Sequence, residues 1–482
     1  MDKSQTDRKD SACVSRSGEN LWAFDGAISM RWQQFFALSA ILLFAANVGQ
    51  ADNWPQFRGP AMNGVATSPF PTTWNASTNV RWRVPIAGEG WSCPVVWGDR
   101  VFLTAAVRTD SEKLPTEEYR NGGRQQADLT KATYRWEVLC LDARTGEILW
   151  RQVPRTGHPP IPRHSSNTYA TETPVTDGER VYAYFGMTGL YCYDLDGELQ
   201  WQKDLGTYPM RADWGTSSSP VLLEDKLFVQ VDNEQQSFVV AIEAATGDEL
   251  WRVERNEGSQ YSTPIVWRNS LRDELILGGQ HFRSYDPQTG ALLWQLDMEK
   301  GRSSAAALAV GDRLYVGTEF RNRGGADDGG GFLFSVKAGG SGEIAPPNDA
   351  TSSEFVEWKI PRSGIQMASP VHVNGFLYLL ERRSGMLHCV DAKTGETAYR
   401  VRVPQARAFW ASPWTDGERV YCLDDDGNTH VLASGPEFQL LHTNRLDELC
   451  WSSPAIANGA LFLRTASQLY CIAEQQNGSV SD

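Results

Sequence analysis

One ten-residue pattern returns along the chain and limits what it can fold into. In residues 285–294, YDPQTGALLW, an apolar strand ends at an aspartate, a Thr-Gly pair follows, and a second strand ends at a tryptophan. Related stretches end at Trp150, Trp201, Trp251 and Tyr399. The aspartate can accept bonds from backbone amides two residues on, and the glycine permits a turn with positive φ. One such hairpin cannot bury its own indole, so the copies predict stacked units that share a core.

A second pattern fixes the number of units: a Ser/Thr-Pro-Val strand, usually followed by a turn and an aromatic strand. It occurs eight times, at Pro94, Pro174, Pro220, Pro264, Ala307 (in the proline position), Pro370, Pro413 and Pro454. Successive copies are 80, 46, 44, 43, 63, 43 and 41 residues apart. Each unit has room for four short strands, which at a period of about 40–50 residues is typical of a propeller blade. The sequence therefore predicts an all-β fold, an eight-bladed β-propeller of four-stranded antiparallel blades.

The two ends of the repeat region predict how the ring closes. After Pro454 the last unit has room for only three strands, in residues 455–473. Residues 79–85 contain Trp82, which lies 12 residues before Pro94, in phase with the blade-ending tryptophans, although no blade precedes it. We therefore expect this amino-terminal strand to complete the eighth blade and leave no unpaired edge at the seam.

The first 51 residues have the pattern of a targeting segment. Residues 1–29 are polar with mixed charge, and Met30 then leads into the apolar stretch 35–46, which small residues follow. This order indicates a secretory signal peptide over about 30–51 that is too short for a membrane span. We expect translation to start at Met30, with 1–29 an upstream misassignment.

Four regions follow from these boundaries. They are an upstream segment with the signal peptide (1–51), an amino-terminal lead-in (52–78), the propeller (79–474) and a disordered tail (475–482). No cysteine lies near the cleavage site, so lipid attachment there is not expected. The mature protein is predicted to be periplasmic or secreted, with no transmembrane span.

The charge balance excludes one large class of partners. The chain has 45 Lys and Arg residues against 59 Asp and Glu residues, a formal net charge of −14. Binding to nucleic acid rewards a basic face, so we expect no nucleic acid partner. We also expect a monomer.

Most cysteines are predicted to be structural. Four of them occupy one repeat position, at or near two residues before the motif aspartate: Cys140, Cys192, Cys389 and Cys471. Equivalent positions on neighbouring blades fan apart, so disulfides among these four are not expected. Cys93 and Cys450 flank the innermost strands of adjacent blades and are the one pair to test. The chain has no C-x-x-C motif and no zinc-site spacing.

The D-x-x-T-G-x-x-x-W hairpins and S-P-V strands resemble the repeats of the pyrroloquinoline-quinone (PQQ) propeller superfamily, over about 53–473. That superfamily includes quinoprotein dehydrogenases and the propeller subunit of the bacterial outer-membrane β-barrel assembly machinery. The opening WPQFRGP at 54–60, followed by Asn63 and Gly64, resembles the start of a large group of secreted bacterial propellers. The resemblance implies the fold, and one fold hosts many functions.

Two functions stay open on this fold. The first, similar to the assembly-machinery propeller, is a non-catalytic binding or scaffold protein in envelope or outer-membrane protein assembly. Its partner would be an envelope protein or a small planar or anionic ligand, and it would require no cofactor. The alternative is a PQQ-dependent quinoprotein oxidoreductase that acts on alcohols or sugars, with PQQ and calcium as cofactors.

The sequence assigns no catalytic residue and no metal ligand. The resemblance to alcohol-oxidising quinoproteins implies two adjacent cysteines over the cofactor, and this chain has neither a Cys-Cys pair nor a C-x-x-C-H cytochrome attachment motif. Residues 424–428, DDDGN, could be imagined as calcium ligands, but they lie where the repeat needs a tight hairpin, and turn chemistry explains them better. His372, His388 and His430 fall on predicted strands and are interpreted as structural.

The candidate binding residues come from one repeat position compared across blades. Three residues before each repeat proline position the chain has Trp91, Thr171, Ser217, Tyr261, Ser304, Met367, Trp410 and Trp451. Blades 7, 8 and 1 are neighbours in a closed ring, so Trp410, Trp451 and Trp91 are expected to form an aromatic arc at one channel mouth, with Tyr261 on the same rim. The preceding connections add Arg163, Arg211, Arg302, Arg362 and Arg407.

This set of side chains has two interpretations. Aromatic rings with convergent guanidinium groups suit a planar or anionic ligand, a sugar or a peptide segment. Alternatively, the rings pack against one another and plug the channel while the arginines pair with nearby acids. The blade-ending tryptophans are expected to pack between blades: Trp82, Trp150, Trp201, Trp251, Trp294 and Trp358. Two insertions, 107–135 and 321–353, are predicted to be long surface loops, where function often resides.

Overall fold

The computed structural model describes residues 52–111, 129–298, 304–318, 331–361, 365, 367–382 and 384–474. These residues form strands β1 to β33, arranged in eight sheets. They also form three short 3-10 helices, Leu129–Lys131, Gly186–Thr188 and Arg211–Asp213. The predicted eight-bladed β-propeller with antiparallel four-stranded blades is confirmed.

Strand β1, Val80–Pro85, precedes the first blade and belongs to the last one. Blade 1 contains β2 Val95–Trp97, β3 Arg100–Arg108, β4 Tyr134–Asp142 and β5 Ile148–Gly157. Blade 2 contains β6 Val175–Thr176, β7 Arg180–Tyr184, β8 Leu190–Asp194 and β9 Leu199–Lys203. Blade 3 contains β10 Val221–Leu223, β11 Lys226–Val231, β12 Ser237–Glu243 and β13 Glu249–Arg255. Blade 4 contains β14 Ile265–Arg268, β15 Asp273–Leu277, β16 His281–Tyr285 and β17 Leu292–Asp297.

The second half of the ring follows the same order. Blade 5 contains β18 Leu308–Val310, β19 Arg313–Gly317, β20 Phe332–Lys337 and β22 Val356–Pro361, while β21 Gly342–Glu343 joins the sheet of blade 4. Blade 6 contains β23 Val371–Val373, β24 Phe376–Leu380, β25 Met386–Asp391 and β26 Thr397–Arg402. Blade 7 contains β27 Trp414–Thr415, β28 Arg419–Leu423, β29 Asn428–Ala433 and β30 Leu440–Arg445. Blade 8 contains β31 Ala455–Ala457, β32 Ala460–Arg464 and β33 Gln468–Ala473, and β1 is its outer strand.

The seam of the ring is closed by the two ends of the repeat region. β1 runs antiparallel to β33, with Trp82 opposite Cys471. The amide of Ala473 donates to Asn79 O at 2.8 Å, which extends the pairing beyond the strand. The predicted closure by the amino-terminal strand is therefore found, and the outer edge of β33 is paired within the chain.

The recurring turn and the blade-ending tryptophan connect neighbouring blades. In blade 1, Asp142 Oδ1 accepts the amide of Thr145 at 2.8 Å, and Gly146 has φ +76°. A Cβ on Gly146 would come within 2.7 Å of the Trp82 ring of blade 8, whose Nε1 donates to Ala143 O at 3.0 Å. The same ring-on-glycine contact recurs at Trp150–Gly197, Trp201–Gly247, Trp251–Gly290 and Trp358–Gly395. These tryptophans therefore pack between blades, as predicted.

The Ser or Thr hydroxyl that precedes the repeat proline in six of the eight blades also connects blades, at their inner ends. A backbone amide of one blade donates to the Ser or Thr hydroxyl of the next blade, at distances of 2.9–3.2 Å. These bonds run from Cys93 to Thr173, Thr173 to Ser219, Ser219 to Thr263, Ala306 to Ser369, Ser369 to Ser412, and Ser412 to Ser453. We call this set the hydroxyl ring. It explains the Ser/Thr of the repeat, because a buried amide needs an acceptor.

Part of the lead-in, residues 54–66, lies along the inner edges of the blades. Its hydrogen bonds join Trp54 to Val96, Pro55 to Thr176, Gln56 to Leu222, and Gly64 and Ala66 to Thr415, at 2.8–3.3 Å. All four blade residues lie two positions after a repeat proline, in blades 1, 2, 3 and 7. The segment therefore crosses the ring at this level, which we call the closed end of the channel. It lies about 15 Å along the inner strands from the level of the aromatic arc.

The described parts of the insertions differ from the predicted surface loops. Phe332–Lys337 is β20, the third strand of blade 5, between β19 and β22. β21 adds a fifth, parallel strand to the outer edge of blade 4, with Trp294 opposite Gly342. The prediction for 321–353 was wrong here because the glycine-rich stretch obscures the apolar alternation that follows it. Residues 112–128 and 319–330 lie outside the described residues.

The seven cysteines in the described ranges are all free and buried, Cys93 and Cys450 included. His372, His388 and His430 lie on β23, β25 and β29, as predicted. In the part of the chain that the structure describes, no helix is long and apolar enough to cross a membrane. The predicted signal peptide (about 30–51) and tail (475–482) lie outside those residues.

Candidate functional site

The aromatic arc forms a continuous stack of rings. The Trp410 and Trp451 centroids are 4.2 Å apart with an angle of 12° between the planes, and Trp91 lies 4.8 Å from Trp451 at 35°. Trp91 and Trp451 are buried, whereas Trp410 is partly exposed. The structure thus brings the three predicted residues together, and two of the rings pack inside the molecule while the third reaches the surface.

An arginine that the sequence pattern did not identify covers the arc. The Arg382 guanidinium lies over the Trp410 ring, 4.3 Å from its centroid. Because Trp451 occupies one face of that ring, the guanidinium must lie on the other face. Arg382 follows β24 of blade 6, in a different connection from the one that was compared across blades. A cation over an indole face is attracted by the ring quadrupole.

A second aromatic group lies on the same rim, in the connections that lead to blades 2, 3 and 4. The Trp214 ring is 6.2 Å from Tyr261 and 6.4 Å, edge-on, from His164. The two groups are joined by Trp91, whose Nε1 donates to Ser166 O at 3.2 Å. Trp214 does not occupy the compared repeat position, so the pattern could not identify it.

His164, in the second aromatic group, is influenced by the charges of two arginines. Burial lowers the pKa of His164, and the charges of Arg382 and Arg163 lower it further. Arg382 belongs to blade 6 and His164 to the connection between blades 1 and 2, so the charge of one connection acts on a side chain of another.

The predicted arginines lie in different environments. Arg163 is fully buried, pairs with Glu89, and stacks 5.0 Å from the Tyr169 ring, so it belongs to the scaffold. Arg407 pairs with Asp425 through two bonds of 2.5 and 3.1 Å. Arg211 is exposed beside the second aromatic group, while Arg302 and Arg362 lie outside the described residues.

A buried carboxyl lies one residue below the mouth, in the wall of blade 2. Glu172 is 1% exposed, and its Oε1 has no hydrogen-bond partner within the described residues. Burial raises the pKa of Glu172 to about 7, although hydrogen bonds from Thr216 and nearby amides act to lower it. The pattern across blades could have indicated this residue, since all seven other blades have Ser or Ala there.

Residues 424–428 form the tight turn that was predicted. Asp424 Oδ1 accepts the amides of Asp426 and Asn428 at 3.0 and 2.9 Å, and its Oδ2 lies 3.2 Å from His430 Nε2. These contacts account for the conformation of the turn. Within the described ranges, no group of three or more His, Cys, Asp or Glu residues is placed to hold a metal ion.

A family model matches part of the chain. Residues 134–281 match the family model described as outer membrane protein assembly factor BamB. That range spans blade 2, blade 3 and parts of blades 1 and 4. A comparison with curated protein sequences finds no match.

Solved structures share the fold over most of the chain. BamB from Moraxella catarrhalis superposes with a TM-score of 0.53 at 12% identity, covering 81% of this chain and 98% of that one. The quinohemoprotein alcohol dehydrogenase from Comamonas testosteroni has a TM-score of 0.57 at 12% identity, with 89% and 82% covered. The quinohemoprotein alcohol dehydrogenase ADHIIG from Pseudomonas putida HK5 has 0.54 at 12% identity, with 87% and 80% covered. At this identity the likeness shows a common fold only.

Proposed function

We propose that this chain is a non-catalytic binding protein of the cell envelope that holds a segment of a protein partner at the mouth of its propeller. The observation that carries the proposal is the stack of Arg382 on the partly exposed Trp410, with Trp451 and Trp91 behind it. Tryptophan and arginine dominate binding hot spots, because a rigid ring and a planar guanidinium make large contacts at low entropic cost.

The two buried tryptophans hold the exposed one in place. Trp91 and Trp451 are 8% and 7% exposed, so neither can move without disrupting the packing with Leu449 beside them. Trp410 is therefore a preorganised contact, and a partner would not need to order it on binding. This distinguishes the arc from a scattered surface aromatic, which needs no functional explanation.

The charges at the mouth indicate the chemistry of the segment. Arg382 lies over the arc, Arg211 is exposed beside the second aromatic group, and the chain as a whole has a net charge of −14. A local positive site on an acidic protein favours a segment with a carboxylate next to an aromatic or aliphatic side chain. The family model that matches residues 134–281 is that of an outer membrane protein assembly factor, which supports a protein as the partner.

The proposal is tested by capture from an envelope fraction with purified, tagged protein. We expect the wild-type protein to retain a protein that Trp410→Ala and Arg382→Ala lose, with binding at least tenfold weaker, about 1.4 kcal/mol, when the retained protein is titrated. Leu271→Ala is the matched control, because this leucine is 65% exposed and lies in the β14–β15 turn of blade 4.

All three variants are first compared with wild type by circular dichroism and thermal unfolding, so that a loss of binding is not a loss of fold. If the proteins retained by Trp410→Ala and Arg382→Ala are the same as those retained by wild type, at unchanged affinity, the proposed site is wrong. If Leu271→Ala loses the same partner, the binding surface lies on blade 4.

A PQQ-dependent oxidoreductase is the second candidate, and the shared fold with two quinohemoprotein alcohol dehydrogenases favours it. The residues in the described ranges do not form a calcium site of the His, Cys, Asp or Glu type. Purified protein mixed with PQQ and calcium should then show neither quinone absorbance that co-elutes with the protein nor dye reduction with alcohols or sugars. If the protein retains the quinone and reduces the dye only when substrate is present, the oxidoreductase function is supported and the non-catalytic binding function is wrong.

A further inference from the structure

The outer strand of a blade ends its sheet, and in two blades another part of the chain covers that edge. In blade 4, β21 is a parallel fifth strand beside β17, and the amide of Ile344 donates to Gln295 O at 2.9 Å. In blade 7, Asn75 of the lead-in forms a parallel bridge with Arg445 at the end of β30. The outer edges of this propeller can therefore accept an added strand, because they present backbone donors and acceptors that pair with it.

The added strand in blade 4 also covers a blade-ending tryptophan. Trp294 is fully buried there, and a Cβ added to Gly340, just before β21, would lie 3.0 Å from its ring. The equivalent Trp150, Trp201 and Trp251 of blades 1 to 3 are only half-buried. The outer sides of these three blades thus keep apolar surface that the corresponding part of blade 4 has buried.

Among these blades, the outer strand of blade 1 has a distinct pattern of side chains. β5 is the longest outer strand, and within the described residues it pairs with β4 alone. Leu149, Arg151, Val153 and Arg155 are exposed, and the residues between them are half-buried. Leu149 is 46% and Val153 42% exposed, and no other outer strand in the described ranges has two such exposed aliphatic side chains.

The edge of β5 carries an excess of positive charge. The strand contains two arginines and no acid. Arg151 lies 3.4 Å from the buried Glu137, but Arg135 is bonded to the same carboxylate at 2.5 Å, so two arginines share one acid. The Arg155 guanidinium lies over the Trp136 ring, 5.9 Å from its centroid. At least one of these positive charges is therefore not compensated by an acid of β4 or β5.

The neighbouring blade 8 extends this positive charge, whereas blade 3 does not. β1, the outer strand of blade 8, has the exposed Arg81 and Arg83 and no acid. β13, the outer strand of blade 3, contains two glutamates, and its Arg252 pairs with Glu249 at 2.6 Å. The positive charge is thus local to the outer side of blades 8 and 1, on a chain whose net charge is −14.

The alternation along β5 indicates what fits beside it. Its exposed side chains are aliphatic and positive in turn, from Leu149 to Arg155. Side chains that lie opposite one another on neighbouring strands interact, and opposite charges or two apolar groups are favourable pairs. An added strand therefore fits when its side chains on that face are alternately aliphatic and acidic. A second copy of β5 does not fit, because it would place arginine beside arginine.

The backbone of β5 offers the same acceptor that blade 4 uses. Arg151 directly follows Trp150, as Gln295 follows Trp294, so its carbonyl corresponds to the one that accepts β21 in blade 4. Pro154 has no N–H to donate, which limits strand pairing to the part of β5 before it. That part, residues 148–153, is longer than the two-residue β21.

We propose that the outer edge of β5 is a docking site for an extended segment of another protein, which adds to blade 1 as a fifth strand and presents acidic and aliphatic side chains in alternation to β5. In this mode of recognition, backbone hydrogen bonds supply affinity and alternate side chains supply specificity. The site lies on the outer side of the ring and does not depend on the proposed binding at the mouth.

The test is the binding of a fluorescein-labelled synthetic peptide to the purified full chain, followed by fluorescence anisotropy. The peptide has about eight residues, enough to span residues 148–155 at about 3.3 Å per residue. Threonine occupies every second position, and valine and glutamate alternate between the threonines. We expect saturable binding of this peptide. The same peptide with lysine in place of glutamate should not bind, and neither should a glutamate peptide whose backbone is N-methylated, since it keeps its charge but cannot donate to a strand edge.

Leu149→Asp and Arg155→Glu should each weaken binding of the glutamate peptide at least tenfold, with circular dichroism unchanged. Leu199→Asp is the matched control and should bind as wild type does, because this leucine is 50% exposed on β9, an outer strand without arginine.

Four results would overturn the proposal. Wild type does not bind the glutamate peptide, or it binds the N-methylated peptide equally well, so that no strand is added. Leu199→Asp loses as much affinity as Leu149→Asp, so that blade 1 is not selected. Finally, sedimentation shows a dimer of wild type that Arg155→Glu dissociates, in which case the occupant of the edge is a second copy of this chain.

Discussion

The two ends of the channel are built on different principles. At the closed end, residues 54–66 meet the inner edges of the blades mainly through backbone hydrogen bonds, such as the pair between Trp54 and Val96 at 2.9 Å. At the mouth, the contacts are between side chains, and Trp410 and Trp451 stack at 4.2 Å. The closed end pairs the backbone hydrogen-bonding groups of the inner strand edges, whereas the mouth presents aromatic rings and positively charged side chains.

This difference separates stability from binding. The lead-in pairs inner-edge amides and carbonyls at the closed end and buries them, so that end contributes to folding. The mouth keeps Trp410 partly exposed, and the loss of a partly exposed side chain removes less buried surface. Changes at the closed end should therefore lower stability, and changes at the mouth should lower affinity for a partner.

The largest expected effect comes from Trp54→Ala at the closed end. Trp54 is 1% exposed, and a Cβ added to Gly59 would lie 2.9 Å from its ring. Removing a buried indole should lower the free energy of unfolding by about 3–5 kcal/mol, measured by chemical denaturation. Trp410→Ala at the mouth should cost clearly less. Equal losses for the two variants would show that the ends do not differ in this respect.

Between the two ends, Glu172→Gln should change stability in a way that depends on pH. Burial raises the pKa of Glu172 to about 7, so the folded protein holds this proton more tightly than the unfolded chain does. Stability is then highest below the unfolded pKa of about 4.5 and falls as pH rises towards 7. Glutamine removes that loss and should raise the free energy of unfolding by up to about 3 kcal/mol at pH 8, and hardly change it at pH 4.

Denaturation curves of wild type and Glu172→Gln at pH 4, 6 and 8 check this prediction. Glu179→Gln is the control, since its side chain is 77% exposed and should show no such trend. A stability difference between the glutamine variant and wild type that is the same at every pH would mean that folding does not raise the pKa of Glu172.

The sequence could predict the repeated parts of the molecule better than the parts that occur once. The fold, the seam at Trp82 and the arc of Trp91, Trp410 and Trp451 were predicted because each belongs to a repeated position, and eight copies fix the phase. The closed end was not predicted, because residues 54–66 occur once and have no second copy to align with. Its hydrogen bonds are mainly to the backbone, which leaves little trace in the choice of side chains.

Part of the mouth was missed for a related reason. Arg382 and Trp214 lie in connections whose lengths differ between blades, so a comparison of one position cannot find them. Strand β20 was missed because the motif spacing of blade 5 is interrupted by an insertion. The burial of a side chain is also invisible in a pattern: Arg163 and Arg407 both lie in a connection before a repeat proline, yet only Arg163 is fully buried.

Ser412→Ala tests the hydroxyl ring, which lies between the two ends. Ser412 Oγ accepts the buried amide of Ser369 at 3.0 Å, and alanine leaves that donor without an acceptor. We expect a loss of about 1–3 kcal/mol in the free energy of unfolding. Ser412→Thr keeps the hydroxyl and should lose less, as thermal unfolding of both variants would show. If alanine and threonine behave alike, the hydroxyl does not contribute to the joining of blades 6 and 7.

Arg382→Ala should have the smallest effect on stability and so gives the sharpest separation of the two ends. Its guanidinium is only half-buried over Trp410, and an exposed cation–π contact contributes about 0.5–1 kcal/mol. The free energy of unfolding should fall by no more than that, while affinity for the captured partner falls at least tenfold. Arg382→Lys keeps the charge but not the planar group, so an intermediate affinity would assign part of the binding to stacking. If Arg382→Ala destabilised the protein as much as Trp54→Ala does, the mouth would be part of the folding core, and stability and binding would not be separable along this channel.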